Sequence, residues 1–489
     1  MNFTQVDFWI FVSLSFFSFI LAKDHYTKRI SYLVLISLFF YYLLSSWFVI
    51  FLIFSILWTF IVGNLIDKHR TTSQRLGYLC FGILVVLSFL IYYKYSYLIA
   101  DTINYLFGTR VVVFDLFSYV FNEFFHKKKD FTKILVPAGI SFFVLHEISY
   151  LVDVYKNKIK ACTNLIDYAL YVSFFPQLIS GPIVRANDFM PQMKKPWRIS
   201  HEDFGFFTLM VSKGLIKKIV ISDLLARLIV NRVFANPIQF SGLECFLATI
   251  SHAMLTYCDF SGYTDIAIGI SRLFGYKLPV NFNYPFKAQN VEDYWRRWHI
   301  SFSSWLKDYI YIPLGGSRGS EARTQINLFI TMVVSSVWHG AGWHIVFWGV
   351  LNGIGLNVFR TWKKLKFFNL QPNRFIGVCS TAITVLFIAH TSIFIRVTNF
   401  NDGLIFLKNI FFHFNSKPVV QTLSIYSATL LILFVSFSIH FYPDEKRNKL
   451  YDAFIQARAR NLVCVLLVIF LGVVFFQSKG TNSFVYTTF

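Results

Sequence analysis

Two histidines in strongly aromatic surroundings are the residues of this sequence best suited to chemistry. His299 lies in Tyr294-Trp295-Arg296-Arg297-Trp298-His299-Ile300-Ser301, and His339 in Ser335-Ser336-Val337-Trp338-His339-Gly340-Ala341-Gly342-Trp343-His344. Imidazole titrates near neutral pH, so it suits abstraction of a proton from a hydroxyl. His339 follows the apolar run Leu328 to Val337, which places an ionisable group at membrane depth, where such a group is costly and by default a functional candidate. Gly340, Ala341 and Gly342 leave room for backbone or substrate to come close. A histidine hydrogen-bonded between two helices would look the same from sequence, and both readings stay open here. A metal site is not expected: His339 and His344 are five apart rather than three or four, and no H-E-x-x-H or cysteine partner accompanies them. His390, His413 and His440 have no clustered partners and read as structural.

Two further segments have the makings of a binding site. Ile312-Pro313-Leu314-Gly315-Gly316-Ser317-Arg318-Gly319 offers backbone N–H groups and an arginine that can cradle phosphate, although an ordinary glycine-rich turn would have the same composition. It lacks the G-x-x-x-x-G-K-[ST] pattern of a nucleotide-binding loop. In Pro176-Gln177-Leu178-Ile179-Ser180-Gly181-Pro182-Ile183-Val184-Arg185, two prolines and a glycine break a helix, and broken helices in membranes often mark binding sites. No G-x-S-x-G elbow is present, so a serine hydrolase is not supported.

The elements that must position these groups are membrane helices. Hydrophobic residues make up 55% of the 489 residues and charged ones 15%, too apolar a balance for an ordinary soluble enzyme. With 46 Lys and Arg against 25 Asp and Glu, the excess of positive charge fits loops facing an anionic leaflet, and nucleic acid is not the expected partner. The six cysteines form no C-x-x-C pair, so neither a thiolate zinc site nor a disulfide framework is read. Apolar windows of spanning length begin at Val6, Ile30, Gly77, Ile134, Thr163, Phe206, Leu243, Gln325, His344, Phe375, Val419 and Leu462, which predicts roughly 10 to 12 spans. The stretch from Ile30 to Val62 is too long for one upright helix and is expected to be either two short helices broken near Ser45-Ser46 or one strongly tilted helix. Val111 to Phe125, with Asp115, Asn122 and Glu123, is expected to be interfacial. The N-terminal apolar stretch has no basic leader or cleavage site and is expected to remain as the first span.

Lys23, Lys28 and Arg29 follow the first span, and Lys446, Arg447, Lys449, Arg458 and Arg460 precede the last, so both termini are predicted outside. Lys127-Lys128-Lys129 does not fit this scheme simply. From Asp259 to Gly319 the pattern breaks into charges interleaved with aromatics. These residues are either buried in protein around a cavity or form a long cytoplasmic loop with amphipathic helices on the leaflet.

Phe175-Pro176-Gln177 through Gly181-Pro182-Ile183-Val184-Arg185, Asp259-Phe260-Ser261-Gly262-Tyr263-Thr264-Asp265 through Gly269, Tyr294 to Ser301, Asp308 to Gly316 and Trp338-His339-Gly340 through Gly349, in that order, resemble the membrane-bound O-acyltransferase family. The likeness is strongest over residues 130–355 and is nearest to the bacterial branch that acetylates polysaccharides. It implies an all-α integral membrane fold, a single polytopic domain over residues 1–489, in which tilted spans surround a funnel and re-entrant helices from the polar middle line its cytoplasmic side. It implies that His339 matches the family's catalytic histidine and His299 the second histidine of the tunnel.

The same resemblance implies that an acetyl group is taken from cytoplasmic acetyl-coenzyme A, used as a substrate with no tightly bound cofactor, and passed across the bacterial inner membrane. A separate periplasmic O-acetyltransferase would then esterify a cell-envelope polysaccharide. The end Phe484-Val485-Tyr486-Thr487-Thr488-Phe489 is similar to the family branch's aromatic acceptor motif, making 477–489 an extracytoplasmic tail whose Tyr486 would carry the acetyl. A tail whose aromatics only anchor at the membrane interface is the competing reading. Arg296, Arg297 and Arg318 are expected to hold the donor's phosphates. Peptidoglycan is favoured over alginate because the wealth of Phe (59) and Tyr (26) suggests an AT-rich source. D-alanyl transfer, acylation of a lipid or protein, a polar-solute transporter and a non-catalytic scaffold are the rivals. Neither of the last two should depend on His339.

Overall fold

In the computed structural model, which describes residues 3–69, 71–125, 133–365, 373–414 and 418–477, the chain is helical with no strand among the described residues. Lys127-Lys128-Lys129 and the tail bearing Tyr486 lie outside them. Four helical stretches are long and apolar enough to cross a membrane: Tyr26–Ser45, Phe48–Lys68, Thr72–Phe107 and Arg374–Arg396. Two bent pairs add to these, Val419–Ile425 with Ser427–Phe441 at 72° and Asp444–Ile455 with Ala459–Phe475 at 102°. The protein is a multi-pass membrane protein. The other apolar windows fall on helices that are shorter, more polar or packed inside the protein, such as Ile140–Tyr155, His201–Leu215, Glu321–His339 and Trp343–Lys364.

The break near Ser45-Ser46, one of the two expected arrangements, is present. Ser46 adopts a φ of +52° between Tyr26–Ser45 and Phe48–Lys68, and its N–H still donates to Tyr42 O at 2.7 Å. Leu116–Phe125 forms a separate ten-residue helix, too short to span.

The molecule is organised on the 32-residue helix Gly242–Leu273, about 48 Å long at 1.5 Å per residue. Its first half packs into an apolar cluster with Leu225 to Phe234 and Ile388 to Leu433. Its second half joins a larger cluster with the N-terminal helices and Ile140 to Met193. Near-complete burial of this helix resolves the polar segment that opens at Asp259: its carboxylates are inside the protein, and the cytoplasmic-loop reading is wrong for residues 259–273. Asp259 accepts from Lys218 Nζ at 2.6 Å, and Asp265 from Lys217 Nζ at 2.8 Å, with Lys213 Nζ at 3.2 Å. A buried ion without such partners is costly. Gly262 permits the close helix approach, since a Cβ there would stand 2.7 Å from Gly214 O. Small residues at helix crossings serve this purpose in membranes.

Candidate active site

His299 occupies the turn between helices Val291–Arg297 and Ile300–Leu306, with a φ of +44°. A left-handed conformation costs a non-glycine residue about 1–2 kcal/mol, so neighbours must impose it. Asn290 starts the preceding helix by accepting from Asp293 N at 2.8 Å. On the far side, Ile300 N donates to Asn281 O at 2.9 Å, and Ser301 donates from both N and Oγ to Asn281 Oδ1, at 3.1 and 2.9 Å. Ser301 Oγ in turn accepts from Ile183 N at 2.9 Å. The His299 ring is packed against Phe260 and Phe302, with centroids 4.7 and 5.0 Å away.

His339 is the last residue of helix Glu321–His339, which Ser320 caps by accepting from Arg323 N at 3.3 Å. Gly340 then leaves in an extended conformation. The carbonyls at a helix end lack intrahelical partners, and here they are met by side chains from the π-helical turn Ile91–Tyr95. Tyr95 Oη donates to Val337 O at 2.6 Å and Lys94 Nζ to Trp338 O at 2.6 Å. Trp338 Nε1 donates to Ser141 O at 3.0 Å. Lys94 and Ser141 were not read from the sequence as part of the site. The available signal was a lysine inside an apolar window, the same anomaly that drew attention to His339.

The helix that follows, Trp343–Lys364, approaches closely at Gly349, where a Cβ would lie 2.2 Å from Ser336 Oγ. Trp348, beside it, packs its ring 5.3 Å from His339. The two histidines are both buried and their ring centres are 6.4 Å apart. That is beyond a direct N···N hydrogen bond of about 3 Å even with nitrogens facing each other, yet one oxygen between the rings can reach both.

A cavity of about 530 Å³, within the usual size of small-molecule sites, is lined by chain neighbours of both histidines but by neither imidazole itself. Ile300 and Ser303 line it next to His299, and Ser335 and Met332 line it one to two turns before His339. Its lining carries Arg296, Lys307 and Arg360, together with the carboxylate of Glu292. Of the three arginines expected to meet a donor, only Arg296 lines the cavity, where it pairs with Glu292. Arg297 is engaged by Asp293 at 3.0 Å. Arg318 sits in the glycine-rich turn, outside the lining, and Asn327 Nδ2 closes that turn by donating to Gly316 O at 3.0 Å. Lys307 and Arg360 line the cavity together with Arg296. Arg360 also binds Glu321 at 2.5 Å. Hydrogen bonds from Arg360 and then Lys364 hold the half-buried Glu321 carboxyl down to about 2.

The proline-broken segment is not an open site. Its backbone is buried and used internally: Val184 N donates to His146 Nε2 at 3.1 Å, and Ile183 N reaches Ser301. Its role is to brace the His299 turn. His440 is structural as read, accepting from Phe286 N at 3.1 Å.

Residues 126–400 match the model of the membrane-bound O-acyltransferase family. The chain is 34% identical over 407 residues, 78% of its length and 73% of the relative's, to a peptidoglycan O-acetyltransferase of Helicobacter pylori. It is 38% identical over 60% of its length to a probable alginate O-acetylase of Azotobacter vinelandii, spanning 55% of that protein. A teichoic acid D-alanyltransferase of Bacillus subtilis is 27% identical over 51% of the chain.

Proposed function

The chain belongs to the membrane-bound O-acyltransferase family and is an acyltransferase of its bacterial polysaccharide O-acetylation branch, the family match covering more than half of it; within that family we propose that it takes acetyl from acetyl-coenzyme A on the cytoplasmic side of a bacterial inner membrane and delivers it outward. A separate periplasmic transferase then esterifies hydroxyls of a cell-envelope polysaccharide. Peptidoglycan is favoured on identity over the longest matches, each about four fifths of the chain: 34% to the peptidoglycan enzyme and 31% to an alginate O-acetylase of Pseudomonas putida.

The observation that carries this reading is the pair of buried histidines, 6.4 Å apart, with a cavity lined by residues adjoining each of them in the chain and by three cationic side chains. Arg296, Lys307 and Arg360 receive the anionic end of the donor, and a charged hydrogen bond of this kind contributes about 1.5–3 kcal/mol. The thioester end lies toward His339. An acceptor hydroxyl placed between the rings loses its proton to a nitrogen of His339, while His299 holds the hydroxyl oxygen. The acceptor is the phenol of Tyr486, whose ordinary pKa near 10 calls for a base. Its acetyl ester is then presented outside to the partner. The cationic lining faces the cytoplasm under the positive-inside rule, which puts both termini outside.

The test is intact and peptide mass spectrometry after incubation with labelled acetyl-coenzyme A, together with the periplasmic partner. Acetyl on the C-terminal peptide of the wild type, absent in His339→Ala and Tyr486→Phe, is the expected result. Label retained in Tyr486→Phe but lost in His339→Ala moves the acceptor elsewhere. No label on the wild type refutes acetyl-coenzyme A as donor and favours the D-alanyl reading, which the relatives acting on teichoic acid support.

A further inference from the structure

The transfer at His339 develops negative charge on the thioester carbonyl oxygen, and neither histidine supplies a donor for it. We propose that Lys94 is a further catalytic residue, donating from its ammonium to that oxygen; the inference rests on the acyl-transfer reading of the His339 site.

Four observations lead there. Lys94 Nζ is 2.6 Å from the carbonyl of Trp338, the residue peptide-bonded to His339, and 3.1 Å from Ser141 Oγ. Its Nζ lies 5.6 Å from the Trp338 ring, which itself packs 5.0 Å from the ring of His339. The side chain is buried, and among the described residues no carboxylate is within ion-pairing distance. That separates it from the other buried lysine, Lys218, which pairs with Asp259 and Asp223, and from half-buried Lys217, which pairs with Asp265. An ammonium has three donors and two are engaged, so one is left for a ligand.

A buried cation without a counter-charge is costly, and an anion formed only during reaction is what such a cation favours most. The π-helical turn Ile91–Tyr95 fits this use. Such turns re-aim side chains at functional sites, and this one directs Lys94 and Tyr95 at consecutive carbonyls of the His339 helix.

In the proposed step the acceptor O–H bond breaks and its proton passes to His339. The oxygen forms a bond to the thioester carbon, and the carbonyl π pair moves onto oxygen, where the Lys94 N–H receives it. When that pair returns to re-form the carbonyl, the C–S bond breaks and the thiolate takes the proton from His339. Products are the ester and free thiol.

Helix capping alone is the competing role, and Tyr95 provides its control. Acetyl transfer from acetyl-coenzyme A is measured for wild type, Lys94→Gln, Lys94→Arg and Tyr95→Phe, with thermal melting of each. Lys94→Gln keeps a donor for Trp338 O but no charge. Its kcat is expected to fall about 10²–10³-fold with KM within about threefold, the behaviour of a lost oxyanion donor. Lys94→Arg retains charge and is expected to keep a kcat well above that of Lys94→Gln. Tyr95→Phe removes only a cap and is expected to lose less than about tenfold. The proposal is overturned if Lys94→Gln loses no more kcat than Tyr95→Phe, or if Lys94→Arg is as poor as Lys94→Gln at equal melting temperature. A wild type without transfer from acetyl-coenzyme A overturns the parent reading instead, a result distinct from either.

Discussion

Gly349 is where the two helices of the His339 hairpin touch, and Gly349→Ala tests whether that contact sets the position of the histidine. The added Cβ would meet Ser336 Oγ at 2.2 Å, Ser336 Cβ at 2.5 Å and Met332 O at 2.9 Å. Favourable contacts lie near 3.5–4 Å, so the helices must part by about 1 Å, and overpacking of this kind costs about 1–3 kcal/mol. Ser336 is three residues before His339 on one helix, and Trp348, packed on His339, is next to Gly349 on the other. A shift of about 1 Å in reacting groups lowers the rate about 10²-fold. Denaturant melting in detergent and acetyl transfer from labelled acetyl-coenzyme A are the paired assays. Adding Ser336→Gly removes two of the three clashes and leaves the Met332 carbonyl, so the double variant is expected to recover most of the activity and part of the stability. Gly349→Ala with wild-type kcat, or a double variant no better than the single one, would refute the idea that this approach positions His339.

Asn281→Ala strips the acceptor from Ser301 N and Oγ and is expected to cost about 1–3 kcal/mol; kcat should fall with it, because the left-handed turn at His299 loses its support. Arg360→Ala is expected to raise KM for acetyl-coenzyme A about tenfold, and Arg318→Ala by much less, since Arg360 lines the cavity and Arg318 does not. His440→Ala leaves Phe286 N without its partner, so the melting temperature should drop while KM for the donor stays unchanged. Ser320→Ala removes the cap of the His339 helix, a loss of about 0.5–2 kcal/mol readable by denaturant melting.

Much of the site's identity was readable locally. His299 and His339 stand out because an imidazole in an apolar run is expensive wherever the chain folds, and the break at Ser45-Ser46 is one of the two arrangements that the length of the apolar run allows. Which cations line the cavity was only partly readable. Arg296, Arg297 and Arg318 share a charged stretch, but helix Val291–Arg297 turns Arg296 to the cavity and Arg297 to Asp293, while Arg360 arrives from a helix that starts 25 residues past Arg318. The proline-broken segment misled for a related reason: a broken helix looks like a binding site, but His146 and Ser301, distant in sequence, accept from its N–H groups and the segment is buried.

The sequence by itself determined that this chain is an all-α membrane acyltransferase with two candidate histidines, because membrane depth penalises polar groups residue by residue and motif order survives without coordinates. Tertiary structure decided which groups surround those histidines. Lys94 and His339 are 245 residues apart in the chain, and the hydrogen bond from Lys94 Nζ to Trp338 O exists only because a π-helical turn in one helix meets the carbonyl end of another. No local pattern records such a meeting, since the free energy that enforces it comes from burying both helices together.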